Sequence, residues 1–248
     1  MSEPALGWLT PDWPVPASVH VCATLRGGGV SEGPWTSLNL ASHVGDHAGH
    51  VAENRRRLAA ALVLPAEPLW LNQVHGTAVA GHTHRSASAP ADASVAVEPG
   101  QVCAVLTADC LAVVLADRRA TRVAVAHAGW RGLVAGVLES TVAALGVPPT
   151  QLSAWLGPAI SQSAFEVGAD VRAAFLANSP RYAAAFIVNA RGRYQADLYA
   201  LARLTLEQAG VGSVHGGGWC TFGEPERFFS YRRDGGRTGR MATLAWLG

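Results

Sequence analysis

The stretch LAVVLADRRATRVAVAH occupies residues 111–127 and holds two apolar runs on either side of a polar turn. Neither run alternates with polar residues, a pattern typical of strands that are buried on both faces. The turn, Asp117–Thr121, is short enough for the two runs to pair as an antiparallel hairpin. These residues therefore predict a buried β-hairpin at the centre of the fold.

Similar runs of Val, Leu and Ala on both sides of the hairpin predict further strands at Val19–Thr24, Val102–Thr107 and Ser153–Leu156. Strands are thus predicted along most of the chain, and several of them lack the alternation of a half-exposed sheet.

Amphipathic patterns predict helices between these strands. One covers Val51–Leu62, and a second covers Leu133–Leu145 and stops at Gly146. Asp197 can cap a third helix through its side-chain oxygen. Helices and strands interleave irregularly, so we expect an α+β fold. It would be a single-domain layered α/β sandwich over residues 1–248, with a mixed sheet that contains the hairpin between Cys110 and His127.

Composition excludes several classes of function. The 248 residues are 49% hydrophobic and 15% charged, and 19 basic residues nearly balance 18 acidic ones. Such a balance gives no broad surface for nucleic acid or anionic lipid. Every apolar run falls well short of the roughly 20 residues that span a bilayer, and the N-terminus does not resemble a signal peptide. We expect a soluble, cytoplasmic monomer in which any anionic ligand is bound by local arginines.

The hairpin also suggests a metal site. A symmetric turn centred between Arg118 and Arg119 would place Cys110 directly opposite His127, with Cβ atoms about 4.5–5.5 Å apart. His75, which ends a strand-like segment at a His-Gly turn, is a candidate third ligand. Two imidazoles and one thiolate are a typical zinc set with room for an exchangeable ligand. Copper would bind the same atoms.

The spacing of these residues also allows a reading without metal, in which Cys110 is a buried apolar thiol and the two histidines belong to the core or to turns. His82 and His84 form another pair, but they precede a loop-like run and are expected on the surface. His43, His47 and His50 lie near the start of the first predicted helix, and we leave them out of the predicted site.

A series of short motifs then appears in order along nearly the whole chain. They are Gly28-Gly29-Val30-Ser31, Ser37-Leu38-Asn39-Leu40, His43-Val44-Gly45-Asp46, Glu53-Asn54-Arg55, Asn72-Gln73-Val74-His75-Gly76, Thr107-Ala108-Asp109-Cys110, Ala126-His127-Ala128-Gly129-Trp130-Arg131-Gly132, Gly157-Pro158-Ala159-Ile160, Phe165-Glu166-Val167-Gly168, Phe229-Ser230-Tyr231-Arg232-Arg233-Asp234 and Thr238-Gly239-Arg240-Met241. The series resembles the YfiH-like family, whose members are also called laccase-domain or polyphenol oxidase family proteins and peptidoglycan editing factors.

The resemblance implies that zinc is held by His75, Cys110 and His127, the three residues already singled out. It also implies a purine nucleoside phosphorylase that accepts adenosine, inosine, guanosine and methylthioadenosine, with adenosine deaminase activity in addition. The partners would then be a nucleoside and phosphate.

Phosphate requires cations, and the arginine fork matches its oxygen atoms. Arginines that lie in or beside the motifs are the candidates, with Arg26 ranked first, followed by Arg131, Arg232 and Arg240. Asn39 is a candidate hydrogen-bonding residue for the substrate on its motif position. Asp109 is a candidate for proton transfer beside Cys110 and His127, provided that the backbone bends there.

Three other functions stay open at this point. One is a non-catalytic binding domain stabilised by zinc, which would normally have a fourth protein ligand, and no adjacent candidate is evident. Cys110 and His127 could form a metal-free nucleophile pair in a hydrolase that edits peptidoglycan precursors. Copper-dependent polyphenol oxidation fits least, because a multicopper centre needs many more histidine ligands.

Overall fold

The computed structural model describes residues 6–81 and 89–248. His82 and His84 lie outside the described residues.

Thirteen strands occur in the described part of the chain: β1 Trp8–Leu9, β2 Val19–Thr24, β3 Val79–Gly81, β4 Ala93–Ala96, β5 Val102–Thr107, β6 Leu111–Asp117, β7 Val123–Ala128, β8 Leu152–Leu156, β9 Glu166–Val167, β10 Phe186–Val188, β11 Tyr194–Ala196, β12 Ser213–Gly216 and β13 Met241–Leu247. The α-helices there are α1 Ala48–Leu62, α2 Trp130–Ala135, α3 Val137–Leu145, α4 Ala169–Asn178 and α5 Leu198–Gln208.

Two sheets stack face to face in the middle of the molecule. A four-stranded sheet has the order β1-β2-β13-β5, and a six-stranded sheet has the order β12-β8-β6-β7-β4-β3. The six-stranded sheet is mixed, because β8–β12 and β3–β4 are parallel pairs whereas β6 pairs antiparallel with β7 and β8. A small sheet, β10-β11-β9, lies apart from these two. The predicted α+β fold with a mixed sheet is therefore confirmed.

Buried apolar side chains form three layers between these helices and sheets. Helix α1 packs on the outer face of the four-stranded sheet, and helices α3 and α5 pack on the outer face of the six-stranded sheet. The third layer fills the space between the sheets. In β6, Leu111, Val113 and Leu115 face the helices, whereas the alanines and valine between them face the other sheet. Burial on both faces explains why the hairpin carries no polar alternation.

The predicted hairpin forms, but its predicted register is wrong. His127 pairs with Ala112, and Leu111 pairs with Ala128, so Cys110 is not directly opposite His127. The turn is centred one residue later than expected because the carboxylate of Asp117 binds the residues that lead into β7. That carboxylate accepts hydrogen bonds from the backbone amides of Thr121 at 2.7 Å and Arg122 at 2.8 Å.

The error leaves Cys110 and His127 near each other. The partner of His127 moves from position 110 to position 112, and residues two apart on a strand share one face of the sheet. Cys110 therefore lies diagonally across from His127, immediately before the first residue of β6.

The helix predictions are confirmed for α1 and for α5, where the Asp197 side chain accepts a hydrogen bond from the amide of Ala200. The predicted helix Leu133–Leu145 is instead interrupted at Gly136, whose φ of 100° ends α2 before α3 begins. Glycine adopts this left-handed conformation without the steric cost of a side chain. None of the helices in the described ranges is both long and apolar enough to span a membrane.

We predict that Asp117→Asn lowers the free energy of unfolding by about 1–3 kcal/mol, the cost of leaving buried donors without an acceptor. Asp117 is 1% exposed and also accepts a hydrogen bond from Thr121 Oγ1 at 3.0 Å. Asparagine offers one acceptor oxygen and would turn its amide group toward these donors. Urea unfolding of the variant, compared with the surface change Asp12→Asn, measures the loss. Equal stability of the two variants would contradict this account of the turn.

Candidate metal centre and substrate cavity

The structure brings His75, Cys110 and His127 together at the open end of the hairpin. Their ligand atoms all lie within 4.8 Å of one another, and Cys110 Sγ is 3.8 Å from His75 Nε2. Ligands of a tetrahedral zinc with bonds of about 2.0–2.3 Å lie roughly 3.5 Å apart, so the three groups fit one ion after a small contraction. They form the one such cluster of His, Cys, Asp and Glu within residues 6–81 and 89–248.

The thiol and the imidazole of His127 perturb each other. Burial alone would raise the pKa of the Cys110 thiol, but the charge of His127 and hydrogen bonds from His127 and His75 lower it to about 6. Burial alone would lower the pKa of His127, but the charge of Cys110 and a hydrogen bond to Asp92 raise it. The thiolate is the form of cysteine that binds metals and acts as a nucleophile.

Asp92, which the sequence analysis missed, links two of the three ligands. Its fully buried carboxylate lies 2.8 Å from His127 Nδ1 and accepts backbone hydrogen bonds from Val74, His75 and Gly76. Burial would raise the pKa of this carboxyl, but these hydrogen bonds hold it below its ordinary value. Asp92 is the single charged residue in the segment 86–97, and this feature of the sequence could have indicated a role for it.

Gly129 leaves room at the centre of the cluster. A Cβ atom at this position would lie 2.9 Å from Cys110 Sγ, 3.0 Å from His75 Cδ2 and 3.5 Å from His127 Nε2. Continuing the hairpin register places Gly129 opposite Cys110. Any side chain here would occupy the space onto which the ligand atoms converge.

Asp109 holds the C-terminal segment against the site. Its backbone bends sharply, with φ at 86°, which meets the condition set for a role beside Cys110. However, its two carboxylate oxygens accept hydrogen bonds from Thr221 Oγ1 at 2.6 Å and from the amide of Arg232 at 2.7 Å. These bonds favour a structural role for Asp109 over the proton-transfer role suggested by the sequence.

A cavity of about 430 Å³ opens over the cluster. Its wall is built by His43, Gln73, His75, Leu106, Thr107, Ala108, Asp109, Cys110, His127, Trp130, Arg131, Ile160, Phe165, Tyr231, Arg232 and Arg240. This volume lies in the range of about 300–1,000 Å³ that is usual for small-molecule sites.

Each of the three arginines in this wall stacks over an aromatic ring of the same wall. The pairs, with distances from guanidinium carbon to ring centroid, are Arg131 over Trp130 at 4.5 Å, Arg232 over Phe165 at 5.4 Å and Arg240 over Tyr231 at 5.6 Å. Arg240 is also fixed by hydrogen bonds from Nη1 to the carbonyls of Thr238 and Gly239. The cavity thus combines positive charge with flat apolar surface.

Two predicted substrate-binding residues lie outside the cavity wall. Arg26 uses its guanidinium to bind the carbonyl oxygens of Thr36 and Pro225. Asn39 is fully buried, and its side-chain oxygen accepts a hydrogen bond from the amide of Arg240 at 3.0 Å. Both residues make hydrogen bonds with backbone groups around the site, and neither is among the residues that line the cavity.

His43, which the sequence analysis left out of the site, is part of the cavity wall. Burial, together with the charges of Arg240 and Arg55, lowers its pKa. The motif that contains His43 could have indicated a role in the site. The proximity of His43 to Arg240 could not be predicted from local sequence, because Arg240 lies almost two hundred residues away.

We predict that iodoacetamide alkylates Cys110 of metal-free protein at nearly its full rate at pH 7. The rate should fall only as the pH drops through about 6, because the thiolate persists down to that pH. Mass spectrometry of peptides resolves this residue from Cys22 and Cys103, whose buried thiols have pKa values raised to about 12. If the alkylation rate of Cys110 still rises tenfold per pH unit above pH 7, the contacts of its thiol with His75 and His127 are contradicted.

Comparison with known proteins agrees with this architecture. A family model described as "Multi-copper polyphenol oxidoreductase laccase" matches residues 20–248. A purine nucleoside phosphorylase of Pseudomonas aeruginosa is 55% identical over 97% of this chain and 98% of its own length. The purine nucleoside phosphorylase YfiH of Escherichia coli is 53% identical over 96% of this chain and 98% of its own.

Solved structures show the same fold. Neisseria meningitidis protein NMB0706 superposes with a TM-score of 0.92 at 53% identity and covers 97% of this chain and 98% of its own. YlmD from Geobacillus stearothermophilus gives a TM-score of 0.92 at 31% identity, over 99% of this chain and 98% of its own. With matches of this extent in both sequence and fold, the chain belongs to the YfiH-like, laccase-domain family.

Proposed function

We propose that this protein is a zinc-dependent purine nucleoside phosphorylase with an adenosine deaminase side activity. The observation that carries the proposal is the His75–Cys110–His127 cluster in a cavity whose wall also holds three arginines. The names of the Pseudomonas and Escherichia relatives support the same reaction class. Adenosine, inosine, guanosine and methylthioadenosine are the proposed substrates.

Zinc suits the ligand set because a borderline-soft ion accepts mixed nitrogen and sulfur donors. Three protein ligands leave one coordination position for an exchangeable group, as in catalytic zinc sites. A zinc ion there would supply Lewis-acid polarisation of a substrate oxygen. Copper would bind the same atoms, but a multicopper oxidase needs several copper sites, and the described residues contain a single cluster.

Phosphorolysis breaks the bond between ribose and purine while a phosphate oxygen bonds to the anomeric carbon, and the bonding electron pair leaves with the base. Phosphate needs fixed positive charge beside the ribose, which the cavity arginines can provide. Trp130, Phe165 and Tyr231 offer flat surfaces for the purine ring.

Arg240 is our choice for the principal phosphate-binding residue. Burial lowers the pKa of Arg240, and its side chain lines the same cavity wall as Cys110, His127 and His75. Two carbonyl oxygens hold its Nη1 in place, so the cation is oriented before substrate arrives. Asp109 is assigned the task of holding the neighbouring Arg232 segment.

A second function has a specific observation in its favour. His127 contacts Asp92 through Nδ1 and faces Cys110, so the three residues have the order of a nucleophile, base and orienting carboxylate. A metal-free hydrolase that edits peptidoglycan precursors would use them in this way. Such an enzyme would gain activity on chelation and would accumulate a covalent intermediate on Cys110.

We predict phosphate-dependent release of hypoxanthine and ribose 1-phosphate from inosine by protein that carries one zinc per chain. His75→Ala and Cys110→Ala should each lose zinc and at least about 100-fold of the activity, the scale expected for losing a catalytic metal. Cys220→Ala, at a half-exposed cysteine outside the cavity wall, is the matched control and should keep both. Free ribose as the product, or full activity after chelation, would rule out zinc-dependent phosphorolysis.

We predict that Arg240→Met raises the KM for phosphate at least tenfold, because a cation that contacts phosphate stabilises it by a charge-assisted hydrogen bond. Arg26→Met should change the KM for phosphate less than twofold, although it should lower thermal stability through its lost carbonyl contacts. Steady-state kinetics at saturating inosine separate the two variants. A larger KM effect for Arg26 than for Arg240 would reverse our assignment.

A further inference from the structure

Asp92 carries a buried charge that lies outside the cavity wall and therefore has no direct access to substrate. Burying a carboxylate is unfavourable unless hydrogen bonds compensate for its lost hydration. We infer that Asp92 is a positioning residue that holds His75 and His127 in the arrangement that binds the metal. The inference rests on the metal site of the proposed function.

The first contact is with the turn that presents His75. Asp92 Oδ1 accepts the amide of His75 at 2.9 Å, while Oδ2 accepts the amides of Gly76 at 2.7 Å and Val74 at 3.1 Å. His75 has a φ of 61°, which is unfavourable for a residue with a side chain. Three successive amides bound to one carboxylate keep the turn in this conformation.

The second contact is with the imidazole of His127. Asp92 Oδ1 lies 2.8 Å from His127 Nδ1, so this nitrogen donates its proton to the carboxylate, and Nε2 faces Cys110 and His75 as the nitrogen that would bind a metal. The backbone of the same residue binds as well, because the Asp92 carbonyl accepts the amide of His127 at 2.7 Å. The imidazole is therefore held both at its ring and at its main chain.

These contacts connect segments that are far apart in sequence. Asp92 immediately precedes β4, which pairs with β7 through Ala93 and Ala126, next to His127. The Asp92 side chain thus contacts His127 near the end of β7 and the turn of residues 74–76. Asparagine cannot replace it, because four donors converge on the carboxylate and asparagine has one acceptor oxygen.

The test measures metal binding by Asp92→Asn, with Asp117→Asn as the matched control. Both variants remove a buried carboxylate that accepts backbone amides, but Asp117 lies at the far end of the hairpin. Competition with a chromophoric chelator gives the zinc affinity, and cobalt substitution gives a ligand-field spectrum. We expect a 10–100-fold weaker zinc affinity and a changed cobalt spectrum for Asp92→Asn. Asp117→Asn should stay within twofold of wild type.

The outcomes separate the inference from the proposed function. If wild type binds zinc and Asp92→Asn binds it equally well with the same cobalt spectrum, the positioning role is overturned and the metal site stands. If wild type binds no zinc, the proposed function fails. Amide exchange in metal-free protein then decides: faster exchange at residues 74–76 in Asp92→Asn supports the positioning role, and unchanged exchange overturns it.

A measurement on unmodified protein covers the case in which Asp92→Asn does not fold. Long-range proton–nitrogen NMR spectra of zinc-loaded wild type should show His127 bound through Nε2, with a slowly exchanging proton on Nδ1. Coordination of His127 through Nδ1 would overturn the inference.

Discussion

The β6–β7 hairpin is buried on both faces, and its position in the core determines where the cavity and the site residues lie. Side chains of β6 alternate between a layer of helices and a second sheet, and all seven of its residues are buried. A slip of one residue would exchange these two sets, and alanines would replace leucines against the helices. The core therefore excludes shifts by an odd number of residues, the turn held by Asp117 fixes the register among the rest, and the register sets where the hairpin opens. Cys110 and Gly129 emerge at that open end, beside His127.

Carboxylates then hold the irregular segments that complete the site. His75 and Asp109 are non-glycine residues with left-handed φ values, and each lies where the chain leaves regular structure beside the cavity. Asp92 binds the amides around His75, and Asp109 uses its own side chain to bind Thr221 and the amide of Arg232. Such conformations persist where surrounding contacts compensate for their cost, and they are frequent at functional sites.

Charge in this protein is local. A net charge of +1 gives no long-range field, yet three arginines converge on one cavity beside a thiol with a lowered pKa. Stacking on aromatic rings orients the arginines without neutralising them. The wall can therefore receive an anion, while the sulfur and nitrogen atoms below can receive a metal. The arginines come from α2 and the C-terminal segment, and the sulfur and nitrogen atoms come from the central part of the chain.

Local elements and the types of candidate ligand could be predicted from the order of residues in the chain. Unbroken apolar runs specify β2, β5 and the hairpin, and Asp197 specifies the start of α5. Two imidazoles and one thiol supply mixed nitrogen and sulfur donors of the kind that bind metal ions. These features depend on neighbouring residues or on side-chain chemistry alone.

The hairpin register, the break at Gly136 and the residues of the cavity wall became clear from the folded structure. Arg26 and Asn39 bind backbone groups and lie outside the cavity wall, and Asp92 contacts both His75 and His127. The physical reason is that each of these outcomes depends on hydrogen bonds or packing between groups that are not adjacent in the chain. Asn39 meets Arg240, and Asp109 meets Arg232, only after the sheets have formed.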